Sequence, residues 1–154
     1  MKELRLDINA DVGEGVGNEN KLFPFITSCN IACGSHAGDK ETMISAVILA
    51  KEFGVKIGAH PSFKDKENFG RKILKIDKNE LLNSLINQVE TLLEVLKKEK
   101  IKLNHIKAHG ALYNLSAYDE ESAKTIIELA KRIDTKLYVP YFSLISKMAK
   151  EQGI

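Results

Sequence analysis

The feature that most restricts what this chain can fold into is a regular alternation of short extended runs with amphipathic helical runs. Leu6 to Asp11 and Ile26 to Gly34 read as strands. A helix follows, with Asp39 as N-cap, Met43, Ala46, Val47, Ala50 and Phe53 at helical spacing, and Gly54 as its stop. Val55 to Ala59 is the next strand, ended by His60-Pro61. Asp77 to Glu80 is close to a capping box and opens a long helix. Its apolar stripe is Leu81, Leu82, Leu85, Ile86, Val89, Leu92, Leu93 and Leu96. Leu103 to Leu112 reads as a strand, Asp119 to Ile133 as a helix, Lys136 to Val139 as a strand and Ser143 to Gln152 as a helix. Repeated strand–helix units imply a parallel sheet with helices outside it. Both a doubly wound open sheet and a (β/α) barrel satisfy that order.

Polar residues favour the barrel. Asp7, Asn9 and Asp11 fall at i, i+2 and i+4, on one face of the first strand, with Leu6, Ile8 and Ala10 on the other. His105, Lys107 and His109 share one face of the fourth strand. Asp11, His36, His60 and His109 each stand where a strand ends. Barrels build their sites at the C-terminal ends of their strands, whereas an open sheet gathers ligands at one switch point. Imidazoles and a carboxylate at such a place can act as acid and base near neutral pH, or hold a divalent metal. Lys107, on the same face, suits an anionic substrate group or a pair with Asp7 or Asp11. His105, at the start of its strand, is expected to be structural.

The totals exclude several other classes. The 154 residues suggest a single domain, 1–154, with a sizeable core. A net charge of +2 with interspersed signs makes no case for nucleic acid or a membrane surface as partner. No run is long and apolar enough for a membrane helix, and the first residues have no signal-peptide core, so the expected address is cytoplasmic. Cys29 and Cys33 are expected about 13 Å apart on one strand, too far for a disulfide, and are read as buried thiols. Gly13, Gly15 and Gly17 match neither G-x-G-x-x-G nor the P-loop pattern. They read as a turn needing positive φ or as a loop that closes on a ligand.

Five ordered segments, DINADVGEGVG, ITSCNIACGSHAGD, GVKIGAHPSF, NFGRK and HIKAHGALYN, together resemble the LamB/YcsF family, the A-type component of bacterial and archaeal 5-oxoprolinase. The resemblance implies an irregular (β/α) barrel of the seven-stranded kind seen in carbohydrate deacetylases and glycosidases, with about five strands present here. It implies ATP-dependent opening of 5-oxo-L-proline to L-glutamate in a complex with subunits B and C. Carried over by position, it points to Asp11, His36, His60, Lys107 and His109 as catalytic residues. Asp7, Asn9, Glu14, Asn30, Arg71, Tyr113 and Asn114 are expected to bind substrate. Three positions depart from the family pattern: Ala108 replaces a proline, Ser35 an aromatic residue and Ser62 a glycine. Family members are also longer, with a later E-x-F-A-D-R motif, so the first and fifth strands are expected to face each other across a gap, as in a fragment, a shortened gene product or a chain that completes itself by oligomerising. Two other functions are compatible with the residues: a metal-dependent hydrolase of deacetylase type without ATP, and a non-catalytic binding or assembly role.

Overall fold

The computed structural model describes residues 6–154. Five strands form one sheet: β1 (Asn9–Val12), β2 (Ser28–Ala32), β3 (Lys56–His60), β4 (His105–Ile106) and β5 (Lys136–Leu137). All neighbours are parallel and the strand order is the chain order, β1 to β5. A doubly wound sheet reverses its order at a switch point; this one never does, which is the winding of a (β/α) barrel. Asp11 is level with Asn30, Asn30 with Gly58, and Gly58 with His105.

Helices cover the outer face. They are α1 (Glu19–Leu22), α2 (Lys40–Glu52), α3 (Lys78–Glu99), α4 (Gly110–Ser116), α5 (Glu120–Ile133) and α6 (Leu144–Glu151). Helix α2 packs on β2 and β3, α3 on β3 and α2, and α5 on α3 and β5. The strands alternate accordingly. Val12, Cys29, Ile31, Ile57, Ala59 and Ile106 lie in the apolar core with Leu85, Val89, Leu92 and Leu96 of α3. Asn9, Asp11, Asn30, His60, His105 and Lys107 point to the inside of the curved sheet, where they meet one another. Cys29 and Cys33 are buried free thiols, and burial pushes both up to about 12.

The expected helix caps are present in altered detail. The reciprocal capping box is at α2, between Asp39 and Thr42. At α3 the Asp77 carboxylate accepts from the Asn79 and Glu80 amides. The fourth strand is much shorter than the expected Leu103–Leu112. Its ladder covers only His105–Ile106, and Gly110–Ser116 is helical. The turn is made at Gly110, at φ +55°, where a Cβ would stand 2.6 Å from the Gly70 carbonyl oxygen. The period-two face survives the shorter ladder. The short α1 and a 3₁₀ turn at Phe23–Phe25 have no counterpart among the elements expected from the sequence. Leu6 and Ile8, on the apolar side of the first strand, are 83% and 54% exposed. The space between the first and fifth strands is bridged by a side chain: the Tyr138 hydroxyl donates to Asp7 Oδ2 at 2.7 Å.

Candidate active site

The inside of the sheet is a stack of polar side chains. At the N-terminal end of the strands the Asp7 carboxylate accepts from Thr27, Ser28 and Tyr138. Above it the buried Asn30 is a hub. Its Nδ2 donates to Asn9 Oδ1 at 2.5 Å and to Asp11 Oδ1 at 2.7 Å, and its Oδ1 lies 2.6 Å from His105 Nε2. Burial pushes His105 down to about 4, so the ring is neutral at pH 7 and donates to Asn30 through Nε2. Glycine at position 58 makes room for it, since a Cβ there would overlap the His105 ring.

The next layer begins with Asp11. Lys107 Nζ donates to Asp11 Oδ1 at 2.8 Å and lies 5.7 Å above the Tyr113 ring. Burial alone would raise the Asp11 pKa, but hydrogen bonding and the Lys107 charge beside it hold the carboxyl well below the usual range. Lys107 is therefore both inward-pointing and paired.

Three histidines close the stack at the C-terminal ends of the strands. His60, at the end of β3, places Nδ1 2.6 Å from the Lys107 carbonyl oxygen and Nε2 3.1 Å from His109 Nδ1. His109, the N-cap of α4, sets Nε2 2.8 Å from the Phe69 carbonyl oxygen. His36, from the loop after β2, stacks on His109 with centroids 3.7 Å apart and planes 5° from parallel. Its Nδ1 is 3.0 Å from Ser62 Oγ and its Nε2 3.1 Å from Glu14 Oε1. Burial and the neighbouring His36 push His109 down to about 4 despite the Phe69 carbonyl and Glu14. For Glu14 burial acts upward, but the hydrogen bond to His36 brings the net shift below the ordinary value.

The glycine-rich turn is what delivers Glu14. Gly13, Gly15 and Gly17 all have positive φ, from 76° to 84°, and the Gly13 amide donates to Glu19 at 2.5 Å. That conformation turns the chain back over the strand ends. Glu14, His36, His60 and His109 each offer one ligand atom, and these four atoms lie within 4.8 Å of one another.

The expected set therefore divides. Asp11, Glu14, His36, His60, Lys107 and His109 converge, with Tyr113 beside them and Asn9 and Asn30 directly beneath. Asp7 lies at the opposite end of the strands, away from the histidines, and is linked to Asn9 through the Ser28 hydroxyl. Arg71 is exposed, its guanidinium 5.1 Å over the Phe69 ring, and Asn114 is exposed on α4. Several residues outside the expected set also shape the site, although Phe69 and Gly70 lie in the NFGRK segment. Phe69 meets His36 and His109 edge-on, at 5.3 and 5.1 Å. A Cβ on Gly70 would stand 2.9 Å from His36 Cβ, so this glycine lets the loop close on the histidines. Gln88, buried on α3, bonds both backbone groups of Ser62 and so fixes the hydroxyl that holds His36. A polar residue on the apolar stripe of α3 is the one sequence cue to this last contact.

The fold and the site together define a (β/α)-barrel protein with a histidine–carboxylate centre at its strand ends. A family model described as LamB/YcsF family matches residues 6–154, and the chain belongs to that family. The crystal structure of a lactam utilization protein from Thermus thermophilus superposes with a TM-score of 0.94 at 35% identity. The match covers 98% of this chain and 64% of that one.

Proposed function

We propose that this protein is the ring-opening component of an ATP-dependent 5-oxoprolinase, acting on 5-oxo-L-proline with subunits B and C. The observation that carries the reading is the convergence of Asp11, Lys107, His60 and His109 at the strand ends. Family membership and the likeness to a lactam utilization protein support it.

A five-membered lactam is a resonance-stabilised amide, so attack by water needs an activated carbonyl. In the proposed sequence ATP phosphorylates the lactam oxygen. Water then adds to that carbon, giving its proton to an imidazole. The ring C–N bond breaks, the nitrogen takes a proton, and an acyl phosphate remains. A second water cleaves this to glutamate and phosphate. His109 suits the role of base because burial keeps it neutral near pH 7. Its Nε2 is committed to the Phe69 carbonyl, which directs the other ring nitrogen towards His60 and the interior. The lysine ammonium has three donors and spends one on Asp11, so two are left for a substrate carboxylate or phosphate oxygen. Arg71, at the rim, would add a second cation as the anionic groups arrive. Asp11, held by Asn30, fixes the lysine.

The test is reconstitution with subunits B and C, following glutamate formation from 5-oxoproline with and without ATP. His60→Asn and His109→Asn should each lower turnover by at least ~10²-fold. Unchanged rates in both would sink the assignment. Hydrolysis without ATP would favour the second reading, a deacetylase-type hydrolase, for which the Glu14–histidine group is the supporting feature.

A further inference from the structure

His60 and His109 face each other through ring nitrogens whose hydrogen-bonding need no other protein group meets. A neutral imidazole has one N–H and one lone pair. His60 Nδ1 faces a carbonyl oxygen, of Lys107, so Nδ1 carries the hydrogen. His109 Nε2 faces the Phe69 carbonyl oxygen, so Nε2 carries it there. The lone pairs are thereby assigned to His60 Nε2 and His109 Nδ1, which point at each other across 3.1 Å. Around them stand more acceptors. Glu14 Oε1 is 3.8 Å from His60 Nε2 and 3.5 Å from His109 Nδ1, and Asp11 Oδ1 is 3.4 Å from His60 Nε2. Both rings are buried. Lys107 serves Asp11 Oδ1 and His36 meets Glu14 Oε1, but the two buried imidazole lone pairs face each other with no positive centre between them. A proton would serve that one contact, whereas a dication would serve both rings and the Glu14 carboxylate.

We infer that His60 Nε2, His109 Nδ1 and Glu14 Oε1 bind one divalent transition-metal ion. Their mutual separations of 3.1, 3.5 and 3.8 Å bracket the ~3.4 Å expected between two ligands of a tetrahedral ion with bonds near 2.1 Å. The His60 and His109 planes meet at 81°, which allows both lone pairs to converge on one point. His36 has a different part. Its plane is parallel to that of His109, and two parallel rings 3.7 Å apart cannot both hold one ion in their planes. His36 instead meets Glu14 Oε1 from outside, while the Ser62 hydroxyl meets its other nitrogen. This is the outer partner that orients a ligating carboxylate. Three protein ligands leave a position for water or a substrate oxygen. Two imidazoles and one carboxylate suit zinc, cobalt, nickel or ferrous iron better than magnesium or calcium.

This inference concerns binding and does not depend on the lactam substrate; a ligating Nδ1 could not also take a proton from water, so metal binding would move the base role off His109. The full chain, stripped with chelator and dialysed, is titrated with Zn²⁺ by calorimetry and with Co²⁺ by visible absorption. One ion per chain is expected. His60→Asn, His109→Asn and Glu14→Gln should each weaken binding by more than the ~10–100-fold that loss of an outer partner costs, and His36→Asn by about that amount. Circular dichroism checks the fold of each variant. Glu14→Gln, on a turn, carries the test if a histidine variant fails to fold. Absence of saturable binding in the wild type, or wild-type affinity in His60→Asn/His109→Asn, overturns the inference and assigns the 3.1 Å contact to a shared proton. Saturable metal binding without turnover in the reconstituted complex counts against the lactam reading alone; turnover in a complex whose wild-type chain shows no saturable binding counts against this inference alone.

Discussion

At the scale of single residues, the site depends on side chains that hold other side chains. His105 never reaches the histidine cluster, yet it supports Asn30, and Asn30 supports Asp11. Gly58 is the condition for that arrangement. Gly58→Ala should cost about 1–3 kcal/mol through overpacking, read as a lower urea midpoint. His105 also predicts a pH dependence. Its pKa falls from ~6.5 in the unfolded chain to about 4 in the folded one. As pH drops below ~6.5 the unfolded chain takes up the proton first, so stability present near neutrality is lost towards pH 4. His105→Gln keeps an N–H donor and removes the titration. Its urea midpoint should fall less than that of the wild type between about pH 7.5 and pH 5; an equal fall in both would contradict the assignment.

At the scale of elements, α3 joins the core to the site. Leu85, Val89, Leu92 and Leu96 pack under β3 and α2, while Gln88 on the same helix bonds the Ser62 backbone. Leu85 is fully buried and Ile86 is only partly so. Leu85→Ala should therefore cost about 2–5 kcal/mol in chemical denaturation, and Ile86→Ala distinctly less. The apolar stripe of this helix is legible in the sequence because its period is local. Most of its residues are core; Val95 is an unforeseen addition and Ile86 and Leu93 lie at the margin. The fourth strand is legible as a face and not as a length. His105, Lys107 and His109 do share one side. The end of the strand is set by the close approach of Gly110 to Gly70, a contact between segments 40 residues apart.

At the scale of the molecule, the sheet curls until groups far apart in sequence touch. Tyr138, next to β5, bonds Asp7, just before β1, and stacks on His105 at 3.7 Å. This is the contact that spans the two edges of the sheet. Tyr138→Phe removes the hydroxyl and keeps the stack. It should lower stability by about 1 kcal/mol in urea titration, since one hydrogen bond is lost and the ring remains. Among the described residues no helix is long and apolar enough to cross a membrane.

The sequence alone determined the alternation of strands and helices, the core stripes, the N-caps and the chemical identity of the cluster. All of these rest on periodicity or on residues close along the chain, where spacing translates directly into geometry. Only the tertiary structure decided which polar residues meet. It separated Asp7 from Asp11, brought Glu14 back over the strand ends through three positive-φ glycines, and recruited Ser62, Phe69 and Gln88 to the histidines. It also set the hydrogen-bond partners that leave two lone pairs facing each other between His60 and His109. Such contacts depend on sheet curvature and loop closure, which arise from packing over the whole chain and leave no local pattern to read.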